Sequence, residues 1–279
     1  MRLSPIVAAP RYLMCRPTFY NVSYSINPWM TRKSPVDCPR AMDQWESLRE
    51  EIEKAGGKVC VMEPDDGEEL PDFVFVANAA VVRGKKAYLS TFSNKERQGE
   101  TALNKRWFER NGYEVAVDDL NAFEGAGDAL FAGKDYRLLF CGAGPRSTTI
   151  ALPKVSEFLS KFDDPIKSIA CRLVSNSFYH IDVAFCPLSE TKALWHPAAF
   201  DDVARHNMSN ELDLIAVPDN EANNFACNAV VVNRTVILNK NNPETTKLLN
   251  DADYDVRAVD MSEFIKAGGS AKCCTLRLE

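Results

Sequence analysis

The sequence predicts a single-domain α/β protein spanning residues 1–279 and built from five similar helix-then-strand units. Three observations carry this reading. Amphipathic helical stretches alternate with short apolar, β-branched runs along the whole chain. The units recur about every 40 to 55 residues, the range in which repeat architectures arise. No low-complexity linker separates two halves. An ordinary α/β sheet accommodates the pattern, and so does a closed ring of five units. In a ring, strand ends converge on an axis and bring distant residues into one central pocket.

The first helix is expected over 39–55. Ala41, Trp45, Leu48 and Ile52 share one face, and Gly56–Gly57 stops it before the strand KVCVM. A second helix over 95–111 carries Leu103, Trp107 and Phe108, ends at Gly112 and leads into YEVAVDD. Helices over 152–162, 198–206 and 244–251 lead into SIACRLV, LDLIAVP and YDVRAVD. Between these units the runs FVFVANAAVV, AYLSTF, YRLLFCG, ALWHP and FACNAVVVNRTVILN read as further strands.

Composition excludes several function classes. Hydrophobic residues make up 46% and charged ones 26%, with a net charge of −6 and no basic stripe for nucleic acid. No apolar run approaches the roughly 18 residues that span a bilayer. The short apolar stretch Ile6–Ala9 is broken by Pro10 and Arg11, so no signal peptide is expected. The nine cysteines are odd in number, lack CxxC spacing and sit mostly in apolar runs, as in a reducing, cytoplasmic setting. The three histidines, at 180, 196 and 206, form no HxxxH. No metal site and no organic cofactor are expected, and the partner expected is a small-molecule substrate, not nucleic acid or membrane. Self-association into a homo-oligomer is compatible with all of this.

Polar residues embedded in apolar runs are the candidates for chemistry, because burying them unpaired costs a few kcal/mol. Asn27, in SINPWM, precedes a proline and reads as extended or in a turn. Asp72 and Asn78 bracket an apolar run read as a strand. The segment FEGAGDAL lacks the third glycine of a dinucleotide loop, and its acids, Glu124 and Asp128, would repel a pyrophosphate. They suit a cationic ligand instead. His180 and Asp182, two apart in a run read as a strand, are expected on one face. In GGSAKCCTLRL, Lys272 is expected to lower the pKa of the adjacent thiol, and strand alternation to put Cys273 and Cys274 on opposite faces. A thiol, an imidazole and several carboxylates suit attack on an electrophilic carbon in a cationic substrate.

Taken together and in order, YSINPWM, VFVANAAVV, KERQGE, FEGAGDALF, FYHIDVAFCPL, NFACNAV and KAGGSAKCCTLRL resemble the guanidino-group-modifying (pentein, or amidinotransferase) superfamily. That superfamily includes arginine deiminases, dimethylargininases and arginine dihydrolases, and the likeness is closest to the dihydrolases. The resemblance implies a five-fold pseudo-symmetric α/β propeller with a central active site. It implies hydrolysis of the guanidinium of free arginine, with ornithine, ammonia and carbon dioxide as products. The alternatives within the class are an arginine deiminase releasing citrulline, or a dimethylargininase. It further implies Cys273 as nucleophile and His180 as general acid and base, with Glu124 and Asp182 as carboxylates for the histidine and the guanidinium. Arg97 and Arg146 match arginines that hold the substrate carboxylate, and Asn27, Asp72 and Asn78 complete the binding set. Asn78 stands where deiminases and dimethylargininases have aspartate, and with Asn27 it resembles the dihydrolase pattern. Asp128 is expected to be structural first. Dimethylargininases typically lack the acid at Asp182, which favours an unsubstituted guanidinium. GPRST departs from the aromatic-rich dihydrolase version.

Overall fold

A computed structural model describes residues 9–31, 35–160 and 164–278. Part of the Ile6–Ala9 stretch and the expected helix end at Phe162 lie outside them. The chain forms strands β1 (Arg11–Cys15) and β2 (Lys58–Met62), joined by helix α1 (Cys38–Lys54). Then come β3 (Ala80–Arg83), β4 (Lys86–Leu89), α2 (Glu100–Arg110) and β5 (Glu114–Ala116). β6 (Ala129–Ala132), β7 (Leu138–Ala143), α3 (Leu152–Leu159) and β8 (Lys167–Arg172) repeat the order. After the short α4 (Ile181–Ala184) follow β9 (Phe185–Pro187), β10 (Lys192–Trp195), α5 (Asp202–Glu211) and β11 (Asp213–Ala216). After α6 (Asp219–Ala222) follow β12 (Val230–Val232), β13 (Thr235–Asn239), α7 (Pro243–Asp251) and β14 (Asp255–Val259). The short α8 (Ser262–Ile265) and β15 (Leu276–Arg277) complete it.

These strands make five three-stranded sheets of one design. A first strand pairs antiparallel with a second, a helix crosses over, and a third strand pairs parallel with the second. One sheet is assembled from both ends of the chain, β15 lying antiparallel to β1 and β1 parallel to β2. Two of the longer helices, α1 and α5, form where the sequence supplies a capping side chain at the start. Asp37 caps α1, accepting from the Arg40 N–H, and Trp45, Leu48 and Ile52 are fully buried. Asp201 caps α5 in the same way, through the Ala204 N–H. The third strands follow their helices closely because the helix stripe and the sheet face bury one another, with Trp45, Phe108 and Phe140 among the fully buried side chains.

The expected units are present, with local corrections. The helix read over 95–111 is a 3₁₀ turn, Lys95–Arg97, followed by α2. The helix read over 198–206 is a 3₁₀ turn, Pro197–Ala199, followed by α5. The run FVFVANAAVV is not one strand. It forms two 3₁₀ turns, Pro71–Val74 and Val76–Asn78, before β3. His180 and Asp182 do not alternate along a strand either, since His180 is the N-cap of α4 and Asp182 lies within it. Residues 271–274 turn rather than extend, so strand alternation does not separate Cys273 from Cys274. All three segments are apolar because they are buried on every side, and such a run leaves no period by which to tell turn from strand.

The five first strands (β3, β6, β9, β12 and β15) are short, and each follows a buried polar or thiol residue by one to three positions: Asn78, Asp128, Asp182, Asn228 and Cys273. Downstream, the same strands border a cavity of about 1220 Å³.

Candidate active site

The residues ahead of the first strands are joined by a continuous circuit of hydrogen bonds. Asn78 Nδ2 donates to the Glu124 carbonyl at 2.9 Å. Glu124 Oε2 lies 2.7 Å from His180 Nε2, and Asp128 Oδ1 accepts from the Ile181 N–H at 3.0 Å. Asn228 Nδ2 donates to the Asp182 carbonyl at 3.1 Å, and Asn228 Oδ1 accepts from the Cys273 N–H at 3.1 Å. The Cys273 carbonyl accepts from the Ala77 N–H at 3.1 Å, which returns the circuit to its start.

Above this circuit lies a small cavity of about 270 Å³. Asn27, Asp72, Asn78, Arg97, Arg146, His180 and Cys273 all line it, together with Phe75 and Tyr179. Glu124 and Asp182 stand immediately behind, Glu124 against His180 and Asp182 Oδ2 3.6 Å from Cys273 Sγ, whose thiol donates to it. The nine candidates are therefore brought together, although 246 positions separate Asn27 from Cys273 in sequence (273 − 27).

Glu124 is the hub. Oε2 accepts from His180 and from Arg146 Nη1 at 3.0 Å, and Oε1 accepts from the Ser93 N–H and hydroxyl at 3.2 and 2.9 Å. Burial alone would raise its carboxyl. The His180 hydrogen bond and the Arg146 charge outweigh burial and hold it well below the usual carboxylate range. Its backbone is fixed by the GAG that follows. Gly125 has φ +60°, and a Cβ on Gly127 would collide with Asn78 Nδ2, so these glycines let the Asn78 amide approach. Asp128 takes the structural place expected of it. Oδ1 accepts from the Ile181 N–H and Oδ2 from the Ser147 hydroxyl at 2.6 Å, which anchors α4 under His180. Burial pushes its carboxyl up to about 6, against the His180 charge and the Ser147 bond.

Arg97 is held by Glu100 of the same ERQGE motif through two bonds, of 2.7 and 2.8 Å, and donates to Asn78 Oδ1 at 2.9 Å. Arg146 bonds Glu124 and the Ile26 carbonyl and lies over the Tyr179 ring. Both guanidinium groups are thus pre-oriented by internal carboxylates. Asn27 is a turn asparagine, accepting from Trp29 N and Met30 N and donating to the Ala267 carbonyl. Asp72 is buried with Oδ2 4.0 Å from Arg97 Nε and the Tyr24 hydroxyl beside its carboxyl, and its Oδ1 makes no hydrogen bond of normal geometry. Asp182 Oδ1 is likewise unpartnered. Burial raises both carboxyls, partly offset by Arg97 at Asp72 and by Lys272 at Asp182. Two buried acceptors without partners fit a ligand rich in N–H donors.

Lys272 acts on the Cys273 thiol in the expected direction, but it does not set the outcome. Burial and the adjacent Asp182 charge push the thiol well up, and the Ser270 backbone bond, Lys272 and Asn228 offset this only in part. Cys274 turns into the core beside Cys273 and Cys15.

Asn228, Ser93, Glu100 and Ser147 were not singled out by sequence reasoning. A signal for Asn228 existed. Asn78-Ala79-Ala80-Val81-Val82 and Asn228-Ala229-Val230-Val231-Val232 are the same pattern, one turn before the first strand of a sheet.

The model of the family described as N,N dimethylarginine dimethylhydrolase, eukaryotic, matches residues 25–279. The chain is 42% identical over 278 residues to the bifunctional arginine dihydrolase/ornithine cyclodeaminase ArgZ of Synechocystis sp., covering 96% of this chain and 37% of that protein. It therefore spans little more than a third of the length of that relative. It is 34% identical to the N(G),N(G)-dimethylarginine dimethylaminohydrolase of Mycobacterium tuberculosis, covering 96% and 85% of the two chains. The crystal structure of the N-terminal domain of ArgZ, an arginine dihydrolase, is similar with a TM-score of 0.90 at 39% identity, covering 96% of this chain and 98% of that one. The fold, the ordered motifs and these matches agree: the chain belongs to the N,N-dimethylarginine dimethylhydrolase family.

Proposed function

We propose that residues 1–279 form one cytoplasmic catalytic unit, a five-bladed α/β propeller, that hydrolyses the guanidinium of free arginine as an arginine dihydrolase. The observation that carries the reading is the meeting of the Cys273 thiol, the His180–Glu124 pair and two open carboxylate oxygens around one small cavity. The hydrogen-bonded circuit through all five sheets, and β15 pairing with β1, support the propeller. The likeness to the ArgZ domain supports the dihydrolase outcome. Nine cysteines without a disulfide support a reducing compartment.

The guanidinium N–H fork meets Asp72 and Asp182, while Arg97 and Arg146, with Asn27 near them, face the substrate's α-carboxylate. The arriving cation favours the sulfur anion and so supplies the stabilisation that the buried thiol lacks. Sγ attacks the central carbon, and the tetrahedral adduct collapses as His180 gives a proton to departing ammonia. Water, deprotonated by His180, then cleaves the amidino-thioether and returns the thiolate with citrulline. A second passage converts the neutral ureido group. Asn78, which both donates and accepts, suits that uncharged intermediate better than an aspartate. The sum is one arginine and two waters to ornithine, two ammonia and carbon dioxide.

Incubation of the purified protein with arginine, following citrulline, ornithine and ammonia, tests this. Ornithine with two ammonia per arginine is expected, and accumulating citrulline would make it a deiminase. The family description and the Mycobacterium tuberculosis relative favour a second reading, dimethylargininase. Turnover of methylated arginine in place of arginine would establish that reading.

A further inference from the structure

Asn228 lies in the turn between α6 and β12, is fully buried, and every one of its side-chain donors is used. Oδ1 accepts from the Cys273 N–H, and Nδ2 donates both to the Asp182 carbonyl and to Cys273 Sγ at 3.1 Å. The backbone carbonyl of Asn228 also accepts from the Lys272 N–H at 3.2 Å, so main chain and side chain together grip the segment that carries the nucleophile. The amide has only one orientation. Flipping it would set Nδ2 against the Cys273 N–H and Oδ1 against the Asp182 carbonyl, a clash of like groups at both ends. An N–H is therefore aimed at the sulfur by backbone groups that do not change during reaction, which is how a site is preorganised toward an anion. The turn presenting it holds Phe225 at φ +61°, fully buried, a conformation that non-glycine residues adopt at a cost and that functional turns retain.

We propose that Asn228 is a further member of the catalytic group, holding Cys273 Sγ toward the cavity and giving the sulfur anion a fixed side-chain hydrogen bond beside the one from the Ser270 backbone. This rests on Cys273 being the nucleophile and deepens that reading. The titratable groups around the sulfur are Asp182, which opposes the anion, Lys272, which favours it, and Tyr179 and His180, which share the cavity with it. Beside them, the Ser270 backbone and the Asn228 side chain supply bonded N–H groups, and Asn228 is the one a substitution can remove.

Iodoacetamide alkylation of Cys273 in the full chain, followed against pH by peptide mass spectrometry, reads the thiolate without any arginine. Loss of arginine turnover as an activity would therefore leave this measurement standing. Asn228→Ala should move the alkylation midpoint up by about one unit, so that alkylation below the midpoint falls about tenfold. The kcat–pH profile should move with it while KM for arginine holds. Asn228→Asp, the same shape with an anion facing the sulfur, should move the midpoint further. In the wild-type chain, one side-chain amide proton resonance should shift with the same midpoint and stay still in Cys273→Ser, a reading that needs no Asn228 variant to fold. A folded Asn228→Ala or Asn228→Asp protein alkylating at the wild-type midpoint overturns the proposal. An amide resonance indifferent to the thiol titration overturns it as well.

Discussion

The two ends of the first strands make an instructive comparison, because turns just ahead of them wall one hollow, through Asn78, His180 and Cys273, and the strands themselves border the other. At their N-terminal ends lies the small cavity of about 270 Å³, walled by Asp72, Asn78, Arg97, Arg146, His180 and Cys273. Toward their C-terminal ends lies the larger one of about 1220 Å³, walled mainly by Val81, Val82, Leu130, Phe131, Phe185, Val230, Val231 and Leu276. A rule that takes the larger, more apolar of these two hollows as the binding site would choose the second. The proposed chemistry is at the first, where buried carboxylates, an imidazole and a thiol share hydrogen bonds. Apolar strand interiors supply rigid scaffolding, and the turns ahead of them supply function. The segments that misled the strand reading are therefore those that matter most.

The largest expected effect separates two adjacent thiols. Cys273→Ser should lower arginine turnover by at least about 10³-fold if the proposed nucleophile acts as one unit with its partners. Cys274→Ser, which touches the core and not the cavity, should keep most activity and lose stability modestly, by about 1–2 kcal/mol, from a hydroxyl buried among apolar groups. Steady-state kinetics and urea unfolding read both, and the reverse pattern would mean that the functional end was assigned to the wrong sulfur.

Next comes the hub. Glu124→Gln keeps the shape but removes the charge that orients His180 and balances buried Arg146. A loss of about 10²–10⁴-fold in kcat is expected from the acid–base role. Because a buried charge loses its partner, a stability loss of about 3 kcal/mol should accompany it. The carboxyl is lowered in the folded state, so its stabilisation is present above the ordinary carboxylate pKa and is lost as pH falls below about 4. The difference between wild type and Glu124→Gln should therefore narrow in acid.

Asp128 gives the opposite sign at the same end. Its carboxyl is pushed up to about 6 by burial, from 3.8, so the folded state binds a proton that the unfolded chain has released. This contribution is full below about pH 4 and is lost as pH rises through 6. A rise of roughly two units corresponds to at most about 3 kcal/mol. Asp128→Asn, which can still accept from the Ile181 N–H, should remove that dependence. Urea unfolding at pH 4.5, 5.5 and 7 should show the variant gaining on wild type as pH rises, and parallel curves would refute the buried-charge account.

The helix-and-strand alternation and most of the site were legible because burial leaves marks in sequence. Trp45, Leu48 and Ile52 mark a helix face, and an asparagine or acid inside VFVANAAVV or FYHIDVAFCPL marks a polar group that must find partners. What was not legible was direction. An apolar run buried on all sides looks the same whether it extends or turns, so the strand expectation fails at Asn78, which ends a 3₁₀ turn, and at His180, which caps α4. The Cys273 pKa was misjudged for a related reason. Lys272 is visible in sequence, whereas the desolvation that outweighs it belongs to the packed structure. Asn228 escaped because its repeat of the Asn78 pattern gains meaning only once the two turns are seen at equivalent places in their sheets.

The smallest expected effect tests the comparison most directly. Val231 is half-buried on the wall of the larger cavity and touches the catalytic circuit through no side-chain bond among the described residues. Val231→Trp places a large apolar ring where there is space for it, so the usual penalty for overpacking a filled core does not arise. Stability should stay within about 1 kcal/mol, and kcat and KM for arginine should stay within about twofold. The bond from Tyr12 to the Val231 carbonyl is made by the backbone and survives the substitution. A folded Val231→Trp protein with turnover reduced tenfold would mean that the large cavity takes part in the reaction. The division of the strands into a working end and a scaffolding end would then be wrong.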